Sequence, residues 1–133
     1  MKLGLIGCGK MGRSLLCGAL KKGAVQAENV FVLSNTKAAV ERLVNDEGVN
    51  AASNLKDLVV NTDTILLCRK PYQIEGLLGD LAAAGSKVES HLMISVAAGV
   101  TLKSMEKASG GKARIIRAMP NTPSLIGKGA TAY

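Results

Sequence analysis

The hydrophobic period of this chain switches back and forth, and that switching limits the fold more than any other feature. Apolar runs at residues 3–6, 30–33, 49–52, 64–68, 92–96 and 113–116 have the length of buried strands, and residues 130–133 read as the start of another. Between them the apolar residues recur every three or four positions. Met11, Leu15, Leu16, Ala19 and Leu20 share one face of a helix that Lys21, Lys22 and Gly23 should close. Val40, Leu43 and Val44 line a second helix that stops at Gly48, and Leu55, Leu58 and Val59 a brief third one capped by Ser53 or Asn54. Ile74, Leu77, Leu78 and Leu81 mark a fourth, and a short fifth starts at Leu102 with Thr101 as its cap. Strands that alternate with helices need crossover connections, and right-handed crossovers produce a parallel sheet covered on both faces. The predicted fold is α/β: a doubly wound, mainly parallel, Rossmann-like sheet without repeats or linkers.

A chain of 133 residues fits one domain and should bury roughly two-thirds of its unfolded surface. Aromatic residues make up only 2% of it, so the core must be built from Leu, Ile, Val, Ala and Met. No apolar run has the length of a membrane span, and the first one begins at Leu3 without a charged leader; a soluble, cytoplasmic chain with no membrane role is expected. Cys8, Cys17 and Cys68 are odd in number and lack Cys-x-x-Cys spacing, which points to reduced thiols and to no metal site. The net charge of +7 is scattered along the chain, and with two Tyr, one Phe and no Trp there is little on which to stack bases. No nucleic-acid role is expected; a small phosphorylated ligand makes better use of the charge.

In doubly wound sheets ligands bind beyond the carboxyl ends of the strands, so the residues after each strand carry the functional reading. The first strand is followed by Gly7, Cys8, Gly9, Lys10, Met11 and Gly12, a G-x-G-x-x-G pattern between a strand and an amphipathic helix. The first glycine permits a tight turn, the second lets backbone approach a pyrophosphate, and the third lets helix and strand pack closely. Free N–H groups and the helix dipole then favour the phosphates. After the second strand come Ser34, Asn35, Thr36 and Lys37, where an enzyme using NAD would place an acid on the ribose 2′-hydroxyl. Hydroxyls, an amide and a lysine suit a 2′-phosphate instead, which favours NADPH and leaves NADH possible. Ser34 or Asn35 can equally serve as an ordinary helix cap.

The fourth strand closes with Cys68 and runs into Arg69, Lys70, Pro71 and Tyr72, and the fifth into Ala97, Ala98 and Gly99. The sixth is followed by Met119, Pro120, Asn121, Thr122 and Pro123. All three prolines therefore fall just past strands, where their fixed φ stiffens the loops around a planar ring, and the small residues leave room for it. A lone His91 before an apolar strand is expected at the surface. Asp57, Asp63, Glu75 and Asp80 read as solvated charges, so no residue is singled out as a catalytic acid or base. Cys8 sits at a helix N-terminus, where a thiol pKa can fall, although packing is the preferred role.

These residues resemble the family of pyrroline-5-carboxylate reductases, NAD(P)H-dependent enzymes that reduce a cyclic imine to proline. The matching pieces are the glycine loop from Ile6 to Gly12, Lys70 with Pro71, the run from Ser95 to Thr101, and above all Arg117 to Pro123 with Gly129 to Tyr133. The resemblance implies that Gly7 to Gly12 hold the pyrophosphate and that Ser34 and its neighbours hold the adenosine ribose with its phosphate. It places Asn54 on the adenine side, and Arg69, Lys70, Pro71, Ala97 and Ala98 along the path to the nicotinamide.

Two departures stand out. Arg69 replaces what is usually a small apolar residue. Family members also continue with a further helix and strand and then a helical domain that dimerises and shapes most of the imine pocket. The resemblance thus implies that residues 1–133 are most of a C-terminally incomplete NADP-binding unit, the cofactor half of a homo-oligomeric reductase, expected to turn over weakly alone. Alternatives are a stand-alone NADP-binding, redox-sensing module, or another reductase of this fold such as a deazaflavin-dependent NADP reductase, which would not be expected to carry the double-proline loop.

Overall fold

A strand whose two faces are both packed needs apolar residues at every position, and β1 (Leu3–Ile6) is buried throughout its length. In this computed structural model, which describes residues 1–84, 88–111, 113–120 and 131–132, β1 lies inside an all-parallel sheet. It pairs with β2 (Val30–Leu33) on one side and β4 (Thr64–Leu67) on the other. The sheet continues to β3 (Asn50–Ala51) beyond β2 and, through β5 (Leu92–Ser95), to β6 (Arg114–Arg117), giving the order β3-β2-β1-β4-β5-β6. Successive strands run outward from β1 through β2 to β3, and the chain then crosses back to β4. Between β1 and β4 the winding reverses, which opens a crevice at the carboxyl edge.

The helices divide between the faces. α1 (Lys10–Lys21) and α2 (Lys37–Glu47) cover one side, where Leu16 and Leu43 pack on Leu3, Leu5, Val30 and Val32. α3 (Leu55–Asn61), α4 (Pro71–Ala84) and α5 (Leu102–Ala108) cover the other, where Leu58, Ile74, Leu78, Leu81 and Met105 meet Ile6, Ile65, Leu67 and Met93. Full burial of such a side chain contributes about 1.5–3 kcal/mol. The ion pairs among the described residues, Arg13–Asp46, Lys37–Glu41 and Arg42–Asp46, are solvent-accessible. Exposed pairs are worth at most about 1 kcal/mol each, so apolar burial holds this fold together. Gly4 belongs to that packing: a Cβ there would lie 2.7 Å from Leu58 Cδ2, so α3 rests directly on β1.

The helix ends follow local chemistry. Gly48 ends α2 in the left-handed region (φ 72°), donating its N–H to the Val44 carbonyl. Of the two candidate caps for α3, Asn54 takes the role: its Oδ1 accepts the Asp57 N–H at 2.9 Å. Asp57 answers by accepting the Ser53 N–H at 2.8 Å and the Ser53 hydroxyl at 2.9 Å, which holds its carboxyl below the usual range. Thr101 caps α5 by accepting the Ser104 N–H at 3.1 Å.

Three expectations change. The third strand is shorter than residues 49–52, because Val49 and Ala52 turn into the core at its ends. The terminal strand forms over Thr131–Ala132, with Ala130 and Tyr133 outside the described residues, but in a separate ribbon: β7 (Met119–Pro120) pairs antiparallel with β8 (Thr131–Ala132). The chain has by then left the sheet, its last bond there running from the Ala118 N–H to the Ser95 carbonyl. Asn121, Thr122 and Pro123 of the double-proline motif lie outside the described residues. His91, expected at the surface, is 3% exposed, with Nε2 3.0 Å from the Val59 carbonyl. The last carbonyls of a helix have no partner within it, and the ring donates to one at the end of α3. Among the described residues no helix is long and apolar enough to cross a membrane, and no three His, Cys, Asp or Glu side chains are grouped to hold a metal.

Replacing His91 with Ala should leave the Val59 carbonyl unpaired in the interior and lower stability by about 1–3 kcal/mol, read as a shifted midpoint in urea denaturation.

Candidate functional site

The turns that follow β1, β2, β4 and β5 come together at one edge of the sheet. The β1–α1 turn is the tightest of them. Gly7 adopts φ 98°, donates its N–H to the Leu33 carbonyl at 2.9 Å, and lies so close to β4 that a Cβ would strike the Cys68 carbonyl oxygen. A Cβ on Gly12 would strike the Gly7 carbonyl oxygen and lie 3.2 Å from Cys68 Cβ. Both glycines are therefore required by the protein's own packing.

Gly9 differs. It occupies the N-cap of α1 with φ −73° and ψ −170°, extended geometry that any residue adopts, and nothing lies within 4 Å of where its Cβ would stand. No side chain caps this helix and its first turn carries no acid. Exposed N–H groups at the positive end of a dipole, beside a bare Cα, leave room for an anion to approach the backbone. Exposed Lys10 and half-buried Met11 follow in the first turn.

Cys8 is buried below this loop, its thiol 3.9 Å from the Leu33 carbonyl. Burial pushes its pKa up to about 11 against the opposing charge of Arg69. Burial likewise pushes Cys68 up to about 12, with Cys8 adding to the rise. The helix dipole does not produce a reactive thiolate here, and Cys8 packs.

At the end of β2, the Ser34 hydroxyl accepts the Thr36 N–H at 3.3 Å. The N-cap of α2 is Thr36, with no side-chain cap bond, so neither Ser34 nor Asn35 serves as the cap. Asn35 and Lys37 are exposed, Lys37 reaching Glu41 at 3.9 Å. A cavity of about 350 Å³ opens beside this turn. Leu33 and Asn35 line it from β2, Leu55 from the start of α3, and Arg69 from the end of β4; Gln73, Gly76, Leu77 and Asp80 close it from α4. Asn54, next to Leu55, spends its carbonyl oxygen on the α3 cap.

Pro71 is the first residue of α4, where a missing N–H costs nothing. The Lys70 N–H donates to Gln73 Oε1 at 3.2 Å and fixes that entry. After β5, Ala97 is buried while Ala98 and Gly99 (φ 77°) are exposed. A second hollow, of about 400 Å³, lies between Pro71, Tyr72 and Glu75 on α4 and Gly99, Val100, Thr101 and Ser104 at the start of α5.

The fold therefore brings the turns that carry Gly7 to Gly12, Ser34 to Lys37, Cys68 to Pro71 and Ala97 to Gly99 to one edge of the sheet. Gln73, Gly76 and Ser104 were not singled out from the sequence, and Leu77, Asp80 and Tyr72 were read only as a packed residue, a solvated charge and a loop residue. Gln73, Gly76, Leu77 and Asp80 recur at helical spacing along α4, so the period that marks its buried face also marks this one.

Residues 2–99 match the family described as NADP oxidoreductase, coenzyme F420-dependent. The chain belongs to this family. It is also 36% identical over 131 residues to a pyrroline-5-carboxylate reductase of Escherichia coli, covering 98% of this chain and 48% of that protein. Its backbone superposes on the pyrroline-5-carboxylate reductase of Coxiella burnetii with a TM-score of 0.89, at 32% identity and over 98% of this chain and 47% of that one. The corresponding enzyme of Plasmodium falciparum, solved with NADP bound, gives 0.83 at 28% identity, covering 98% of this chain and 46% of that one. The chain spans about half the length of the curated relatives it matches.

Replacing Gly12 with Ala should force α1 away from β1 and cost about 1–3 kcal/mol, whereas Gly9 to Ala should stay within about 0.5 kcal/mol of the parent in thermal melts.

Proposed function

We propose that this chain is the dinucleotide-binding half of a pyrroline-5-carboxylate reductase and that it binds NADPH in preference to NADH. The carrying observation is the contrast among the glycines: Gly7 and Gly12 are bare because protein atoms press on them, while Gly9 is bare with open space before it. Packing does not explain that glycine, and a diphosphate approaching the backbone does. The residues present fit the cofactor. The N–H groups from Gly9 to Gly12 would hold the diphosphate. Ser34, Asn35, Thr36 and Lys37 would receive the ribose and its 2′-phosphate without an opposing carboxylate. Asn54 would turn its amide, free of the cap bond, toward the adenine. Cys68, Lys70, Pro71, Ala97, Ala98 and Gly99 would line the way to the nicotinamide on stiff or compact backbone.

The bound cofactor supplies the hydride. The chain's own residues bind it, orient it and limit water at its reactive face. The proposed substrate is pyrroline-5-carboxylate, reduced to L-proline. Placing an imine carbon at attack distance is worth on the order of 7–11 kcal/mol of barrier. The relatives are about twice as long as this chain, and the remaining half is the proposed source of that positioning, as a helical region in a homo-oligomer. The chain alone should therefore reduce the imine slowly. Free Cys8, Cys17 and Cys68 suit a reducing, cytoplasmic compartment, and neither nucleic acid nor a membrane is proposed as partner.

The family match ends at residue 99, whereas the alignment to the Escherichia coli reductase covers 98% of the chain. That longer correspondence favours imine reduction over a deazaflavin-linked reaction.

Titration with NADPH, followed by nicotinamide fluorescence, should saturate for the folded chain. Gly9 to Leu should abolish that saturation with an unchanged melting temperature; equal affinity in the variant would remove the diphosphate from this loop. Adding the helical half of a relative should raise imine reduction, and failure to do so would favour a stand-alone binding module. Asn54 to Ser should keep the α3 cap, holding stability within about 0.5 kcal/mol, while weakening NADPH several-fold in the same titration.

A further inference from the structure

We propose that Arg69 selects the 2′-phosphorylated form of the dinucleotide, its guanidinium serving the adenosine end of the crevice instead of the nicotinamide path. This rests on the cofactor reading above and goes beyond it, because Arg69 comes from β4, far in sequence from the β2 turn that usually decides between the two cofactors.

Placement comes first. Arg69 lines the same cavity as Leu33 and Asn35 at the end of β2, where the adenosine ribose lies in folds of this order. Tyr72, Gly99 and Thr101 line the separate hollow, and Arg69 is not among its walls.

The second observation is an unmet donor. The Arg69 Nε atom is buried and has no hydrogen-bond partner among the described residues. The ion pairs there involve Arg13, Lys37 and Arg42 but not Arg69. A buried N–H without an acceptor costs free energy until something supplies one. A planar guanidinium fork matches a phosphate in both geometry and charge.

The surrounding charges agree. Residues 34–37 at the end of β2 include no acid to repel a phosphate. The one carboxylate in the cavity, Asp80, sits seven residues beyond Gln73, about 10 Å further along α4, and makes no ion pair with Arg69.

The test uses nucleotides without nicotinamide, so that hydride chemistry plays no part. Isothermal titration of the full 133-residue chain with adenosine 2′,5′-bisphosphate and with adenosine 5′-monophosphate gives the preference for the 2′-phosphate. Arg69→Gln should reduce that preference about 10- to 100-fold while leaving the monophosphate within about threefold. Arg69→Lys should restore part of it, because a point charge replaces the fork. A preference unchanged in Arg69→Gln, or both nucleotides weakened equally, overturns the proposal. If the parent chain binds NADPH and NADH yet shows either of those outcomes, only the role of Arg69 fails. If the parent binds none of these nucleotides, the cofactor reading fails and this one with it.

Discussion

The contact on which the rest depends is the one between the start of α1 and the end of β1. Gly12 presses against the Gly7 carbonyl, and Gly7 in turn against the Cys68 carbonyl, so that one helix and two neighbouring strands meet with no side chain between them. Interiors pack at crystal-like density, and any Cβ at these positions would have to displace backbone. That closeness aims the first N–H groups of α1 along the crevice between β1 and β4. It also buries Cys8 and half-buries Cys68 beneath the turn, and that burial pushes both thiol pKa values up.

The sheet order extends this local contact into a binding edge. Reversal of winding between β1 and β4 leaves the crossovers on opposite faces, so no helix lies over the carboxyl edge between those strands. The turns after β2 and β4 then face each other across that gap, with α4 as its floor. A charged group from one strand can in this way act beside a sugar held by another. Arg69 and Asn35 are 34 positions apart in sequence and share one cavity.

Apolar burial supplies the stability, and the polar groups supply direction. Asn54 illustrates the division, since its amide oxygen caps the start of α3 while its amide nitrogen takes no part in that cap. His91 is placed by the same logic from the opposite edge, where its ring answers a carbonyl that α3 leaves open.

Much of this was legible in the residues themselves. The alternation of strand and helix periods, the glycine spacing and the caps at Asn54 and Thr101 are local, because they depend on neighbours within about four positions along the chain. The parallel pairing follows from the right-handed crossovers, whereas the order β3-β2-β1-β4-β5-β6 is seen only in the folded sheet. Burial of His91, the turning away of β7 and β8 from the main sheet, and the side of the crevice that Arg69 faces were not legible. Each depends on a partner brought close only by folding: the Val59 carbonyl, the end of the ladder at Ala118, and the cavity walls from β2 and α4. A sequence carries the period of each element and the chemistry at its ends; which distant groups share a dielectric and a void is decided only when the sheet assembles.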